Sequence, residues 1–508
     1  MIFCDALVIG GGLTARRCAE ILSEKYNTLL ICDGAGASPY IHGICIPLDT
    51  QDSVERFIED TQNSAKHQCD KALVRTLCEG ALALADEFDF DKKSDGSYDL
   101  LRPLGASVPR VASIHEHTGA YVMALINENK KFKERRLRAV RLLHHERQVY
   151  GALCYDPEAD AFVTVRARCV CLASGGFGGV FPFSTNSTDI GGDGIAMAYL
   201  AGCELRDMEF IQFEPTVALS PALLVGKSVI TTMLYEGATF RNGQGEQFLT
   251  SACVDKDVLS KAIYREILRG KPSPGGGVYY DATAVPKEML LSKYRSYYER
   301  YLRVGVDISE QMMEVAPAPH TTLGGVVIDT GCATALKGLF CMGEVTGGLH
   351  GANRLGGNAG LETLVFGKIG GESALAFLDG EEHAERSIPS LDCENIPFSG
   401  EKIHTRVKEI AKNALGVIRN AEGMCAAMAE LDALGEVLLT MLEADGKLCY
   451  GAYRAYNDCL TVQLALKAAL ARVGSVGAHE RSDAQPEEER YTLYLSRDYG
   501  IKKEIIYE

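Results

Sequence analysis

No run of about 18 or more apolar residues occurs in this 508-residue chain, so no transmembrane helix is predicted. No C-x-x-C pair occurs among its 17 cysteines, which removes the zinc-ribbon and iron–sulfur spacings. There is no basic excess: 52 Lys+Arg face 68 Asp+Glu, a net charge of −16. That balance argues against nucleic acid or an anionic membrane as main partner, because both need a basic face. The opening MIFCDALVIGGG has no basic n-region and no small-residue cleavage site after a long apolar core, so it reads as a first strand rather than a signal peptide. A chain of this length needs no disulfides to hold a core, and thiols in a reducing cytoplasm are expected. What is present is an ordinary globular composition, 46% hydrophobic and 24% charged, which excludes wholesale disorder and leaves room for about three domains.

Asp5 to Gly10 is a short apolar run ending in glycines, Thr14 to Ser23 reads as a helix, and Thr28 to Cys32 is a second apolar run. This is the β–loop–α–β opening of a doubly wound α/β domain. Gly10-Gly11-Gly12-Leu13-Thr14-Ala15 fits G-x-G-x-x-G/A in the context that motif needs. Gly10 permits the tight turn, Gly12 lets the backbone approach a pyrophosphate, and Ala15 lets helix and strand pack closely. Asp33 ends the second run, where a carboxylate accepts hydrogen bonds from a ribose. Dinucleotide binding follows, with NAD and FAD undistinguished by this motif.

Helical periodicity covers residues 50–90, and short strands are predicted at Val140–Leu143, Val149–Cys154, Phe162–Arg166 and Ala167–Ala173. A Gly/Pro-rich KPSPGGG stretch and helices rich in Lys, Arg and Tyr mark residues 226–315 as an insertion. Pro389 to Gly400 reads as a linker, the chain is helical from about residue 401, and the last 30 residues are expected to run over the surface.

Later segments carry a resemblance. They are Leu172-Ala-Ser-Gly-Gly-Phe-Gly-Gly179, Thr185-Asn-Ser, Gly192-Asp193-Gly194 through Gln212-Phe213, His320-Thr-Thr-Leu-Gly-Gly-Val326, Gly338 to Glu344, and Gly348-Leu-His-Gly-Ala-Asn-Arg-Leu-Gly-Gly-Asn358. Together they resemble the flavoprotein subunit of the fumarate reductase and succinate dehydrogenase family, which also includes L-aspartate oxidase. The match is collinear and nearly end to end. It implies an α/β fold: a Rossmann-like FAD-binding domain (1–225 and 316–388), an inserted α+β capping domain (226–315) and a C-terminal helical domain (400–508). It also implies an FAD-dependent oxidoreductase that moves a hydride between flavin N5 and a carbon next to a carboxylate, with proton exchange on the neighbouring carbon. Aspartate oxidase instead oxidises a C–N bond, and a non-catalytic FAD-binding subunit is a third reading.

The resemblance assigns cofactor residues by segment. Gly10, Gly12, Leu13, Thr14, Ala15 and Asp33 face the ADP half. Ser38, His42 and Gly43 pass the flavin, and Ser174, Gly175, Gly176 and Asp193 form a second loop near it. Glu344 meets the ribityl chain, and Arg354, Asn358, Gly360 and Leu361 lie where a helix N-terminus points at the flavin's pyrimidine end. Ala37 falls where some members carry a flavin-linking His, so FAD is expected to be non-covalent; His42 is expected to pack at the flavin edge.

For the substrate, the resemblance gives Arg354 as a bidentate carboxylate clamp, His320 beside the substrate and His350 as a second candidate. The family's Gln-Phe-His-Pro-Thr is Gln212-Phe-Glu-Pro-Thr216 here, so Glu214 replaces a histidine that helps hold a second carboxylate. In a dry site it would repel a dicarboxylate by roughly several kcal/mol. The proton-delivering Arg of Pro-Arg-Asp-x-Val is Lys256; a lysine is an acid or base at neutral pH where burial and neighbours lower its pKa. The family's Thr-Glu pair is replaced around Ile230–Thr232, and Glu-Ser-Arg-Gly is reduced to Gly474-Ser-Val-Gly477. These departures imply a small carboxylate substrate other than fumarate. With no iron–sulfur or haem region in the sequence, electrons come from a separate electron-transfer protein or a free redox carrier.

Overall fold

A computed structural model describes residues 1–249, 255–380 and 390–506. Pro389, where the expected linker begins, and the expected boundary at 388 lie outside the described residues. The first strand, Ile2–Ile9, pairs in parallel on both edges. Ile9 sits opposite Ile31 of the Thr28–Cys32 strand on one side and opposite Leu172 on the other. Lys133–Arg136 extends the sheet beyond Thr28–Cys32. The inner strands are near-continuous apolar runs because both faces are covered, with Ala6, Leu7 and Val8 fully buried, whereas the edge strand Lys133–Arg136 is charged and exposed.

Two strands predicted at 162–166 and 167–173 are one, Ala161–Leu172. One edge of it follows Ile2–Ile9. The other pairs antiparallel with Gln148–Asp156 over its first half and parallel with Leu339–Cys341 at its end. The change of partner, not a break in the chain, produced the change of sequence character. Cys393–Glu394, within the segment expected to be a linker, also pairs with this strand.

A second sheet of four antiparallel strands joins Ile211–Ala218, Met313–Thr322, Val278–Asp281 and Thr239–Arg241 in that order. It draws on chain both before 226 and after 315, through the strands Ile211–Ala218 and Met313–Thr322. Its core holds Phe240 stacked on Tyr280, with Tyr294 and Tyr301 fully buried beside them.

Helices Glu401–Ala414, Ala421–Thr440 and Tyr450–Ala471 pack against one another at the C-terminal end. The expectation that the last residues run over the surface holds for the exposed strand Gly500–Ile505 and is corrected for Tyr491–Ser496: the two form a hairpin, and the first of these strands pairs with Leu205–Arg206. Tyr491, Leu493 and Leu495 are buried, which the polar segment preceding them obscures. Among the described residues no helix is long and apolar enough to cross a membrane.

A buried ionic cluster ties these helices to the rest. Arg472 donates from Nε to Glu209 at 2.6 Å, from Nη1 to Glu487 at 2.6 Å and from Nη2 to the Tyr491 carbonyl at 2.9 Å. Arg419 donates to the Glu209 carbonyl at 2.7 Å. Arg472 and Glu209 have no solvent exposure. Removing one partner strands a buried charge, so Arg472→Met is expected to lower unfolding stability by about 3–5 kcal/mol in a denaturant titration. A change below about 1 kcal/mol would show that the cluster does not hold the C-terminal helices in place.

Candidate active site

One elongated cavity of about 970 Å³ runs from the first β–α turn to the second sheet. Of the expected residues, Gly10, Gly12, Thr14, Asp33, Ser38, His42, Gly43, Ser174, Gly175, Asp193, Glu214, Lys256, His320, Glu344, Arg354 and Gly360 line it. Leu13, Ala15, Gly176, His350, Asn358 and Leu361 do not. Leu13 and Ala15 are buried in the helix that starts at the cavity wall. Gly176 is pressed against Thr322 and Glu344, and Leu361 is buried in the core. Asn358 is fully buried and donates to Thr61 at 3.1 Å. His350, expected near the substrate, instead lies behind the wall, 3.0 Å from Glu362.

At one end the chain turns at Gly10 with φ +134°, and a Cβ there would overlap the Ala173 carbonyl. A Cβ on Gly12 would meet Ser38 Oγ at 2.8 Å, the atom that accepts from the Leu13 N–H at 2.8 Å. The helix Leu13–Ser23 therefore points its N-terminus into the cavity through a cradle with no room for side chains. Asp33 is flanked by Arg136 and Arg138, which occupy both of its oxygens. Burial pushes its carboxyl up, and the two guanidiniums outweigh that and hold it below the usual carboxylate range.

Midway, Ser174 Oγ is buried with no hydrogen-bond partner among the described residues. Asp193 opens the helix Asp193–Ala201 and accepts from Asn457 Nδ2 at 3.1 Å. Burial, with Asp458 nearby, raises its carboxyl to about 7. Glu344 accepts from the Thr322 N–H at 2.9 Å and the Thr322 hydroxyl at 3.2 Å, and burial raises it to about 7. The helix Asn358–Gly380 begins at the cavity wall, where Gly356, Gly357 and Gly360 face inward.

At the far end the two strands that carry Glu214 and His320 run side by side, with Glu214 opposite Ala318. Lys256, the first residue of the helix Lys256–Leu268, forms an ion pair with Glu214. A cation is disfavoured at a helix N-terminus, and Glu214 compensates for that placement. His320 Nε2 lies 3.8 Å from Glu214, and its Nδ1 lies 2.7 Å from the Thr185 hydroxyl. Burial, then the charges of Lys256 and Arg354, hold the imidazole well below its ordinary pKa, so it is neutral at pH 7. Arg354 is 5% exposed and has no carboxylate within ion-pair distance among the described residues. Its Nη1 donates to the Leu355 carbonyl at 3.3 Å, its Nη2 to Thr321 at 3.5 Å, and its Nε is unpartnered. Burial lowers its pKa, yet a guanidinium stays charged.

Sequence reasoning missed several lining residues: Thr185 and Thr321 beside His320 and Arg354, and Lys227, Tyr297 and Arg300 from the inserted part. Thr185 and Thr321 sit within segments that carry the resemblance. Tyr297 and Arg300 belong to a Tyr- and Arg-rich helix whose alternation does not mark which face meets a cavity.

Residues 5–359 match the FAD binding domain family. The chain belongs to that family of FAD-dependent oxidoreductases. It is 32% identical to the A subunit of the fumarate reductase (CoM/CoB) of Methanothermobacter marburgensis over 96% of each chain. It is 28% identical to the L-aspartate oxidase of Yersinia pestis, over 94% of this chain and 96% of that one. In fold it matches Mycobacterium smegmatis Sdh1 with a TM-score of 0.83 at 25% identity, covering 99% of this chain and 94% of that one. It matches an E. coli quinol fumarate reductase chain with a TM-score of 0.86 at 23% identity, covering 99% and 97%. The glycine cradle, the unpartnered Ser174 hydroxyl and two helix N-termini on one long cavity fit FAD.

Two outcomes are expected. Gly10→Ala strains the turn and crowds the cradle, and the purified variant should lose most of its flavin absorbance on desalting; full retention would detach the cradle from the cofactor. Asp193 gains protons on folding, so its stabilising contribution is present below its unfolded value of 3.8 and falls away as pH rises through about 7. In the apoprotein, Asp193→Asn should therefore flatten the decline of Tm between about pH 4 and about pH 7, as differential scanning fluorimetry would show.

Proposed function

We propose that this FAD-dependent oxidoreductase acts at a carbon–carbon bond next to a carboxylate, reducing an activated double bond or catalysing its reverse. The observation that supports this reading is Arg354, a buried guanidinium without a carboxylate partner among the described residues, on the same cavity as the Lys256–Glu214 pair. When bound, FAD supplies hydride chemistry. Arg354 offers its fork to the substrate carboxylate, aided by Thr321. Neutral His320, held by Thr185, orients the substrate by hydrogen bonding. Lys256 exchanges the proton on the neighbouring carbon, while Glu214 holds its ammonium in place. The FAD is proposed to be non-covalent, since Ala37 lines the cavity where a linking His would stand.

Glu214 and Lys256 neutralise each other, so the pair offers no spare cation to a second substrate carboxylate, which weighs against fumarate itself as substrate, and no spare carboxylate to a substrate ammonium. Amino-acid oxidation, suggested by the aspartate oxidases among the relatives, would require that pair to part. A separate electron-transfer protein or free carrier is proposed as redox partner; the Methanothermobacter relative is itself named as one subunit of a reductase. A reducing cytoplasm is the proposed setting, in keeping with free thiols at the described cysteines.

The test is anaerobic titration of the dithionite-reduced holoprotein with fumarate and a panel of other enoates. Reoxidation by an enoate other than fumarate is expected; bleaching of the oxidised protein by an amino acid, with no enoate active, would overturn the reading. Lys256→Gln should keep its flavin and lose about 10²–10⁴-fold in turnover. Unchanged turnover would remove Lys256 from the chemistry.

A further inference from the structure

The inserted part brings cations to the cavity that the proposed chemistry does not use. The helix Arg295–Leu302 carries Arg295 and Arg300, and Arg303 follows it. Arg295 and Arg303 both pair with Glu299, at 2.7 and 3.2 Å. Arg300 turns the other way and lines the cavity. Its Nη1 donates to the Ser228 carbonyl at 3.2 Å, and its guanidinium carbon lies 5.1 Å from the centroid of the Tyr297 ring. Among the described residues no carboxylate pairs with it. Next to Ser228, Lys227 also lines the cavity and rests over the Tyr40 ring at 5.7 Å, again without an ion pair among the described residues. In a chain with 68 acidic residues and a net charge of −16, the half-buried Arg300 and the exposed Lys227 are left on the cavity lining with no acidic partner among the described residues, an arrangement that suits an anionic ligand.

The arrangement separates this cluster from Glu214. Ser228, whose carbonyl accepts from Arg300, bridges Val217, three residues along the strand from Glu214 or roughly 10 Å at strand rise, and the Tyr297 ring beside Arg300 lies 5.6 Å from that of His42. Glu214 in turn is closed by Lys256. The Glu214–Lys256 pair leaves no spare cation for a second anion, whereas an anion beside Tyr297 meets the Nε and Nη2 of Arg300, which have no acceptor among the described residues and form a fork suited to an oxyanion.

We propose that Arg300, supported by Lys227, binds a second anionic group of the substrate, remote from the carboxylate at Arg354. The substrate is then an extended dianion, longer than a four-carbon diacid. This rests on the proposed role of Arg354, but its test needs no turnover. Isothermal titration calorimetry on the oxidised holoprotein would compare butyrate, succinate, glutarate, adipate and 4-phosphonobutyrate. A longer dianion is expected to bind at least about tenfold tighter than butyrate. Arg300→Gln should erase that advantage and leave butyrate unchanged, Arg300→Lys should restore part of it, and Lys227→Gln, at an exposed position, should reduce it several-fold. Preference for adipate or for the phosphonate identifies the second group as carboxylate or phosphate-like.

Equal affinity for butyrate and every dianion would overturn the proposal. So would an Arg300→Gln variant that weakens butyrate and dianions alike, which marks a general field, or one that sheds its FAD, which assigns Arg300 to the cofactor. If no enoate reoxidises the flavin but the dianion preference still depends on Arg300, the reaction reading fails and this one stands.

Discussion

The parallel register between Ile2–Ile9 and the end of Ala161–Leu172 is the constraint on which the site depends. It sets Ile9 against Leu172, so that the turn at Gly10 and the loop at Ala173–Gly175 leave the sheet at the same edge. Both strands then open into the cavity, and the Leu339–Cys341 strand, paired with the same Leu172, delivers Glu344 to it. A shift of one residue would turn each side chain to the opposite face and close the cradle.

The second sheet does for the substrate end what the first does for the cofactor end. Its strands Ile211–Ala218 and Met313–Thr322 pair directly, which places Glu214 and His320 on one wall. The helix led by Lys256 packs on the same strand. Glu214 and Lys256 thus neutralise each other inside the protein, and among the described residues Arg354, Arg300 and Lys227 line the same cavity without a carboxylate partner. In the proposed reading, charge balance as well as shape divides the cavity into a proton-exchange centre and anion-binding positions.

The buried cluster of Arg472, Glu209, Arg419 and Glu487 has a different consequence. Its donors flank the C-terminal helices, Arg472 just after Tyr450–Ala471 and Arg419 just before Ala421–Thr440, and its main acceptor comes from the chain just before Ile211–Ala218, so the helical end is locked next to the strand that carries Glu214. Stability and site geometry share that strand.

What the sequence determined alone is the turn at the cofactor end: the spaced glycines, the apolar run before them and the helix after them are local patterns whose backbone chemistry admits few alternatives, and Gly10 and Gly12 reach the cavity, as do Ser38 and Gly360, which only the resemblance pointed to. Arg354, Lys256 and His320 were legible through the ordered segments around them. His350 lay in the same kind of segment, yet the turn of the chain put it behind the wall against Glu362, and nothing local distinguishes the two outcomes. The continuous strand at Ala161–Leu172 and the C-terminal hairpin were hidden because their pairing partners lie far away in the chain. Only the tertiary structure decided that Glu214 is spent on Lys256 and that Arg300 has no carboxylate among the described residues, because ion pairing depends on which distant side chains come within a few ångströms, and periodicity carries no record of that.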